Sequence, residues 1–312
     1  MQSSRIKITL LFFSLLLFIF TINGFAQITF KEGKLEKQGV TLFYKTSGSK
    51  GDFVILLAGG PGSSVDYMKP VSDSLSPYYR CIMLEQRGSG RSLLRKYDST
   101  TVRMDLYVED IEALRQQIKA NKLILIGNSW GAMLSLLYGA AYPQNVSKII
   151  TLGSGPISSD YAKIFDDNFR LRLLPHEIEL RNFWKERRKD SSTYLQANYE
   201  LDKAGTAAYY YNRQIGLKAA MAFKSTDMNY YVFPAFDKAH PTFDLRPLLN
   251  KITAKVLLVQ GRQDLAGEAN VLEINNLISQ SSLKIIERCG HLPWEEKPFE
   301  TWQAVYKFLE IK

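Results

Sequence analysis

Apolar residues along this chain fall into short unbroken runs, set apart by glycine-rich turns and by stretches of helical spacing. Phe53-Val54-Ile55-Leu56-Leu57, Cys81-Ile82-Met83-Leu84, Leu123-Ile124-Leu125-Ile126 and Val256-Leu257-Leu258-Val259 contain no charged or amide residue. Such runs predict strands buried on both faces, as in a parallel sheet covered by helices. Val40-Thr41-Leu42-Phe43-Tyr44-Lys45 alternates instead and predicts an early antiparallel strand. Residues 146–152 and 283–287 complete the set. Between these runs, Met104, Tyr107, Val108, Ile111, Leu114 and Ile118 recur at helical spacing. Ala132 leads a second helix, closed by Pro143; residues 271–278 give a third, and residues 299–311 an amphipathic last one. Strand and helix alternate, which predicts an α/β fold with a mostly parallel central sheet flanked by helices and joined by right-handed crossovers.

From residue 155 to 245 the pattern changes. Charged helical segments dense in Tyr and Phe replace the buried runs, with Tyr209-Tyr210-Tyr211, Tyr230-Tyr231 and Phe233 the richest. The expected organisation is a core of residues 27–154 and 246–312, interrupted by a helical cap at 155–245. Arg5 and Lys7 precede an apolar run over residues 8–22, interrupted only by hydroxyl residues, and Asn23-Gly24-Phe25-Ala26 follows. That arrangement predicts a secretory signal peptide over residues 1–26 and an exported protein, periplasmic or secreted. An uncleaved anchor is the alternative, but the run falls short of the ~20 residues that span a bilayer.

Composition narrows the functional classes. The chain is 46% hydrophobic and 23% charged over 312 residues, an ordinary globular balance. Its net charge is +9, and the excess gathers at Arg170, Arg172, Arg181, Lys185, Arg187, Arg188 and Lys189. Glu177, Glu179 and Glu186 interleave with these, so the segment reads as solvated helix faces; no nucleic-acid motif accompanies the charge. The two cysteines, Cys81 and Cys289, belong to distant parts of the expected fold and are read as free thiols. Two cysteines and three histidines leave little for a zinc site, and no metal or cofactor is expected.

The chemistry gathers at strand ends. Gly127-Asn128-Ser129-Trp130-Gly131 follows a buried run and leads into a helix. Gly-x-Ser-x-Gly between strand and helix is the nucleophile elbow: the glycines make room for a sharp turn that lifts the serine hydroxyl clear of the sheet. It leaves the Trp130 N–H at a helix N-terminus, free to bind an oxyanion. Ala58-Gly59-Gly60-Pro61-Gly62 follows another buried run. It lacks the Gly-Lys-Ser/Thr ending of a phosphate loop, so it is read as the source of the second oxyanion donor, Gly60, with Gly59 the alternative. A serine nucleophile needs a base, and the base an orienting carboxylate. His291 lies past the last predicted strand and Asp264 past the one before it, where catalytic groups collect in open α/β sheets. The order Ser129, Asp264, His291 is that of an α/β hydrolase.

On these motifs the chain resembles the α/β-hydrolase superfamily, and within it the proline iminopeptidase-like serine aminopeptidases. Those carry His-Gly-Gly-Pro-Gly, Asp-Gln-Arg-Gly-x-Gly-x-Ser, Gly-Gly-Ser-Trp-Gly, Gly-Arg-x-Asp and Gly-His. The counterparts here are residues 58–62, 85–92, 127–131, 261–264 and 290–291, with Ala58 in place of the usual His and Glu85 in place of the usual Asp. The resemblance implies an acyl-enzyme mechanism on Ser129, His291 and Asp264, and an aminopeptidase that releases N-terminal residues, proline among them, from short peptides. It also implies acidic residues in the insertion to hold the substrate's amino group; the family's Trp-Glu signature has no match there, and the sequence assigns no residue to that task. An esterase or amidase acting on small apolar or aromatic substrates is the first rival. A binding module that has lost catalysis on the same fold is the second.

Overall fold

The structure, a computed structural model, describes residues 30–37 and 39–311; the expected signal peptide lies outside the described residues. Eight strands run in chain order: β1 (Lys31–Lys37), β2 (Val40–Ser47), β3 (Phe53–Leu57), β4 (Arg80–Leu84), β5 (Leu123–Ser129), β6 (Val146–Ser154), β7 (Lys255–Gly261) and β8 (Ser281–Ile286). They form one sheet in the order β1-β2-β4-β3-β5-β6-β7-β8. β1 pairs antiparallel with β2, and β2 antiparallel with β4. Every pairing from β4 to β8 is parallel.

Alternate residues of the buried runs face opposite sides, and each side has its own core. Ile55, Leu57, Leu123, Leu125, Val256 and Leu258 pack toward α2 (Met104–Gln117) and α3 (Trp130–Ala141). Val54, Leu56, Ile124, Ile126, Leu257 and Val259 pack toward α1 (Lys69–Leu75) and the C-terminal helix (Pro298–Leu309). Continuous apolar runs are the consequence: a strand covered on both faces has no polar side. β1, with the sequence KEGKLEK, and the seven-residue α1 go beyond the sequence expectation. No helix among the described residues is long and apolar enough to cross a membrane.

Between β6 and β7 the chain forms α4 (Ser159–Leu171), α5 (Pro175–Arg187), α6 (Tyr194–Gly205), α7 (Arg213–Ala222) and α8 (Val232–Ala239). The two ends of this helical segment meet. Ser158 and Asp244 form an antiparallel bridge, and the Leu245 N–H donates to the Ile157 carbonyl at 2.8 Å. α8 is not a separate layer: its Val232, Ala235 and Phe236 share a core cluster with Tyr107 and Trp130. Both cysteines are buried free thiols.

Candidate active site

β5 is central, flanked by β3 and β6, and it ends on Ser129. Ser129 has φ 54° and ψ −120°, a conformation that costs a non-glycine residue of order 1–3 kcal/mol. The flanking glycines are obligatory. A Cβ on Gly127 would lie 2.1 Å from the Gly131 carbonyl oxygen, and one on Gly131 would lie 2.0 Å from the Leu57 oxygen. α3 starts at Trp130, so that N–H is one of the helix's unpaired terminal donors.

Asp264 and His291 come together as the sequence order implies. Asp264 follows β7 and is 4% exposed; His291 follows β8 and is 3% exposed. The His291 Nδ1 lies 2.9 Å from each Asp264 carboxylate oxygen. The Ala266 N–H donates to Asp264 Oδ1 at 2.9 Å, fixing the carboxylate. His291 Nε2 is buried and has no hydrogen-bond partner among the described residues. The imidazole is held between rings: Phe165 and Tyr209 each lie 5.7 Å away, centroid to centroid.

Three loops converge through one amide. Asn128, immediately before Ser129, donates through Nδ2 to the Leu152 carbonyl at 2.5 Å and to the His291 carbonyl at 3.2 Å. Its Oδ1 accepts the Tyr67 hydroxyl at 2.8 Å. That hydroxyl in turn accepts the Gly59 N–H at 2.6 Å. Burial pushes the Tyr67 phenol well above its ordinary range, so it stays a neutral donor and acceptor. Gly59 therefore has its N–H committed to Tyr67, while Gly60 turns at φ +110°. Gln86 ties the same loop to the elbow: its Nε2 donates to the Ala58 carbonyl, and its Oε1 accepts the Trp130 indole N–H, both at 2.9 Å. Glu85 is spent locally, accepting the Arg91 N–H at 2.5 Å.

The helical segment reaches the same place. The His291 N–H donates to the Tyr209 carbonyl at 2.8 Å, and Glu296 accepts from Asn212 N–H (2.7 Å) and Gly290 N–H (2.5 Å). Arg172 donates to the carbonyls of Ala208 and of Gln263, next to Asp264. Burial raises the Tyr209 phenol, and the charges of Asp202, Asp166 and Asp264 raise it further against the pull of Arg181. Asp202 itself makes no side-chain hydrogen bond or ion pair among the described residues. Burial pushes its carboxyl up to about 6, against the opposing pull of Arg181 and Arg188. Sequence reasoning singled out neither Tyr67, Asn128 nor Gln86 as site residues, although Asn128 and Gln86 sit inside the motifs; Asp202 stood unassigned among other acids.

A mostly parallel sheet with a strained serine ending its central strand, and a buried His–Asp pair past β7 and β8, has the layout of the α/β hydrolases. The family model for the alpha/beta hydrolase fold matches residues 52–298. The chain belongs to this family, and it is a serine hydrolase. Its curated relatives include the proline iminopeptidase of Lactobacillus helveticus, 26% identical over 298 residues, with 89% of this chain and 97% of that protein covered. Among solved structures, VinJ matches with a TM-score of 0.71 at 21% identity, covering 90% of this chain and 98% of that one. The proline iminopeptidase of Mycobacterium smegmatis matches with a TM-score of 0.67 at 19% identity, covering 90% and 98%.

Proposed function

We propose that the protein is an exported aminopeptidase that releases N-terminal residues, proline among them, from short peptides through an acyl-enzyme. His291 takes the proton of Ser129 as the hydroxyl attacks the carbonyl, and Asp264 holds the imidazole tautomer and supports its charge. The N–H groups of Trp130 and Gly60 receive the oxyanion, each supplying ~3 kcal/mol to the transition state. The oxyanion then collapses, the scissile C–N bond breaks and His291 gives its proton to the departing amine; water attacks the ester that remains, with His291 again as base. The helical segment at 155–245 acts as a cap that encloses the acyl residue and excludes water.

Asp202 is the observation that carries the peptide reading over the esterase one. A partly buried carboxylate that makes no hydrogen bond or salt bridge among the described residues, though Arg181 and Arg188 act on it through charge, and whose own charge reaches Tyr209 beside His291, suits a substrate ammonium group. Matches to proline iminopeptidases over most of the chain support the same reading. The test compares a prolyl arylamide with its N-acetyl form on the wild type, Ser129→Ala and Asp202→Asn. The expected result is cleavage of the free amine only, loss of turnover by several orders of magnitude in Ser129→Ala, and a KM at least tenfold higher in Asp202→Asn. Equal cleavage of both arylamides, or of a p-nitrophenyl ester alone, would move the protein to the esterase reading.

A further inference from the structure

A cavity opens between the loop after β4 and the helical segment. Its volume is about 790 Å³, inside the ~300–1,000 Å³ that small-ligand sites occupy. Leu93, Leu94 and Tyr97, from the loop after β4, line one wall; α6 and the connection from α7 to α8 line the others. None of Ser129, Asp264 and His291 lines it.

Its rim is unusually apolar for water-facing surface. Leu93 is 60% exposed, Leu195 52% and Tyr231 47%. Tyr231 stands in an aromatic row, 5.9 Å from Tyr97 and 5.5 Å from Tyr194, centroid to centroid. The lining also holds the Tyr230 side chain, whose buried hydroxyl has no partner among the described residues. Glu200 is the only acidic or basic side chain in the lining. An aromatic row and a single carboxylate suit an apolar or aromatic group on a neutral or cationic backbone, and disfavour an acidic one.

The cavity wall is built onto the glycine loop. Asn229 N–H donates to the Gly62 carbonyl at 3.0 Å, Ser64 N–H to the Asp227 carbonyl at 2.8 Å, and Ser63 bridges Met228. Asn229 also donates through Nδ2 to the Gly88 carbonyl at 2.8 Å and the Tyr97 hydroxyl at 2.9 Å. Gly62 is two residues from Gly60, at most ~7 Å of chain. The cavity wall at Asn229 is thus joined to the chain two residues from the proposed oxyanion donor.

We infer that this cavity receives the leaving-group side of the substrate, the peptide residue after the scissile bond, and selects apolar or aromatic side chains there. The inference rests on Ser129 as nucleophile and Gly60 as oxyanion donor. Burying a phenyl group instead of a glycine hydrogen favours binding by about tenfold or more.

The test is calorimetric titration of the full-length Ser129→Ala protein with Pro-Phe-amide, Pro-Gly-amide, Pro-Glu-amide, N-acetyl-Pro-Phe-amide and Phe-amide. Pro-Phe-amide should bind about tenfold more tightly than Pro-Gly-amide, and Pro-Glu-amide more weakly than either. The Phe preference should collapse in Leu93→Asp and in Tyr231→Ala, both at exposed positions, and Glu200→Gln should relieve the discrimination against Glu. Equal affinity across the three dipeptide amides, or a Phe preference that survives both rim substitutions, overturns the inference. Should N-acetyl-Pro-Phe-amide bind as well as the free amine while the Phe preference persists, the aminopeptidase reading fails and the cavity assignment stands. A flat series with a retained need for the free amine fails the cavity alone.

Discussion

The backbone of Ser129 is strained because its surroundings leave no alternative, and the groups that impose it are spread along the chain. Asn128 is bonded to residues 24, 61 and 163 positions away. This is why the candidate site residues can be picked out from the sequence and their hydrogen-bonding supports cannot: a motif marks the local turn, whereas an amide's partners are known only once the chain is folded. Tyr67 joins the glycine loop to the elbow without facing a reacting atom, and so is a positioning residue. Tyr67→Phe strands the Gly59 N–H and the Asn128 amide oxygen, each at a cost of about 1–3 kcal/mol if buried and unpaired. The expected outcome is a ten- to hundredfold fall in kcat with KM nearly unchanged, and an equal loss of affinity for a boronate transition-state analogue. A lowered melting temperature with kcat intact would make Tyr67 structural only. Asp202 gives a pH signature. Its carboxyl is raised to about 6 by burial, and only the ionised form attracts an ammonium group. KM for a free-amine substrate should therefore rise as pH falls below 6, approaching tenfold per unit, and this limb should vanish in Asp202→Asn. Its stability effect runs the other way. A carboxyl raised on folding stabilises the native state below its unfolded pKa, and that contribution is lost as pH rises through 6.

At the level of elements, the elbow between β5 and α3 depends on close backbone approach rather than on side-chain packing. A Cβ on Gly131 would meet the Leu57 oxygen at 2.0 Å and the Ala58 oxygen at 2.6 Å. Both are backbone atoms of the strand and loop that lead to Gly60, so neither can yield without moving the oxyanion loop. Gly131→Ala should destabilise by about 3 kcal/mol, lowering the melting temperature on the order of 10 °C, and should abolish activity in whatever protein remains folded. Gly39→Ala is the control: it has φ +82° but nothing within 4 Å of the added carbon, so only the backbone cost of about 1 kcal/mol applies. An effect of Gly131→Ala no larger than that of Gly39→Ala would show that the approach of Leu57 does not make this glycine necessary. Legibility at this scale follows burial. Strands β3 to β7 announce themselves because both faces are covered and both must be apolar. β1 is an edge strand with one apolar residue, Leu35, and pairs with β2 alone. α1 is too short for helical spacing to repeat, and its first turn holds a proline.

At the level of the whole molecule, the helical segment looks like an inserted domain in the sequence but is joined to the core at many points. α8 places Val232, Ala235 and Phe236 in the core cluster of Trp130. His240, just after α8, accepts the Met104 N–H at 3.1 Å, capping α2 of the core. Tyr209, Asn212 and Arg172 are bonded to the histidine and aspartate loops, and Asn229 to the glycine loop. Burying Val232 and Phe236 is worth about 1.5–3 kcal/mol each, and Ala235 less, a sum that is a sizeable share of the ~5–15 kcal/mol that holds a whole domain together. The segment should therefore unfold with the core in one transition. Trp184 lies in the segment, and Trp130, Trp294 and Trp302 in the core, so comparing wild type with Trp184→Phe isolates a reporter for each part. The two fluorescence transitions and the far-ultraviolet circular dichroism should coincide in temperature and in urea. An earlier Trp184 transition would show a lid that melts or swings alone, and substrate could then enter beneath it. Coincidence would mean that the segment does not lift as a unit, and that peptides must reach Ser129 through an opening already present. The cavity at the loop after β4 lies along the boundary between the segment and the core. A core and cap that unfold together thus favour entry from that side, with the N-terminal residue leading and the leaving portion resting where the aromatic row stands.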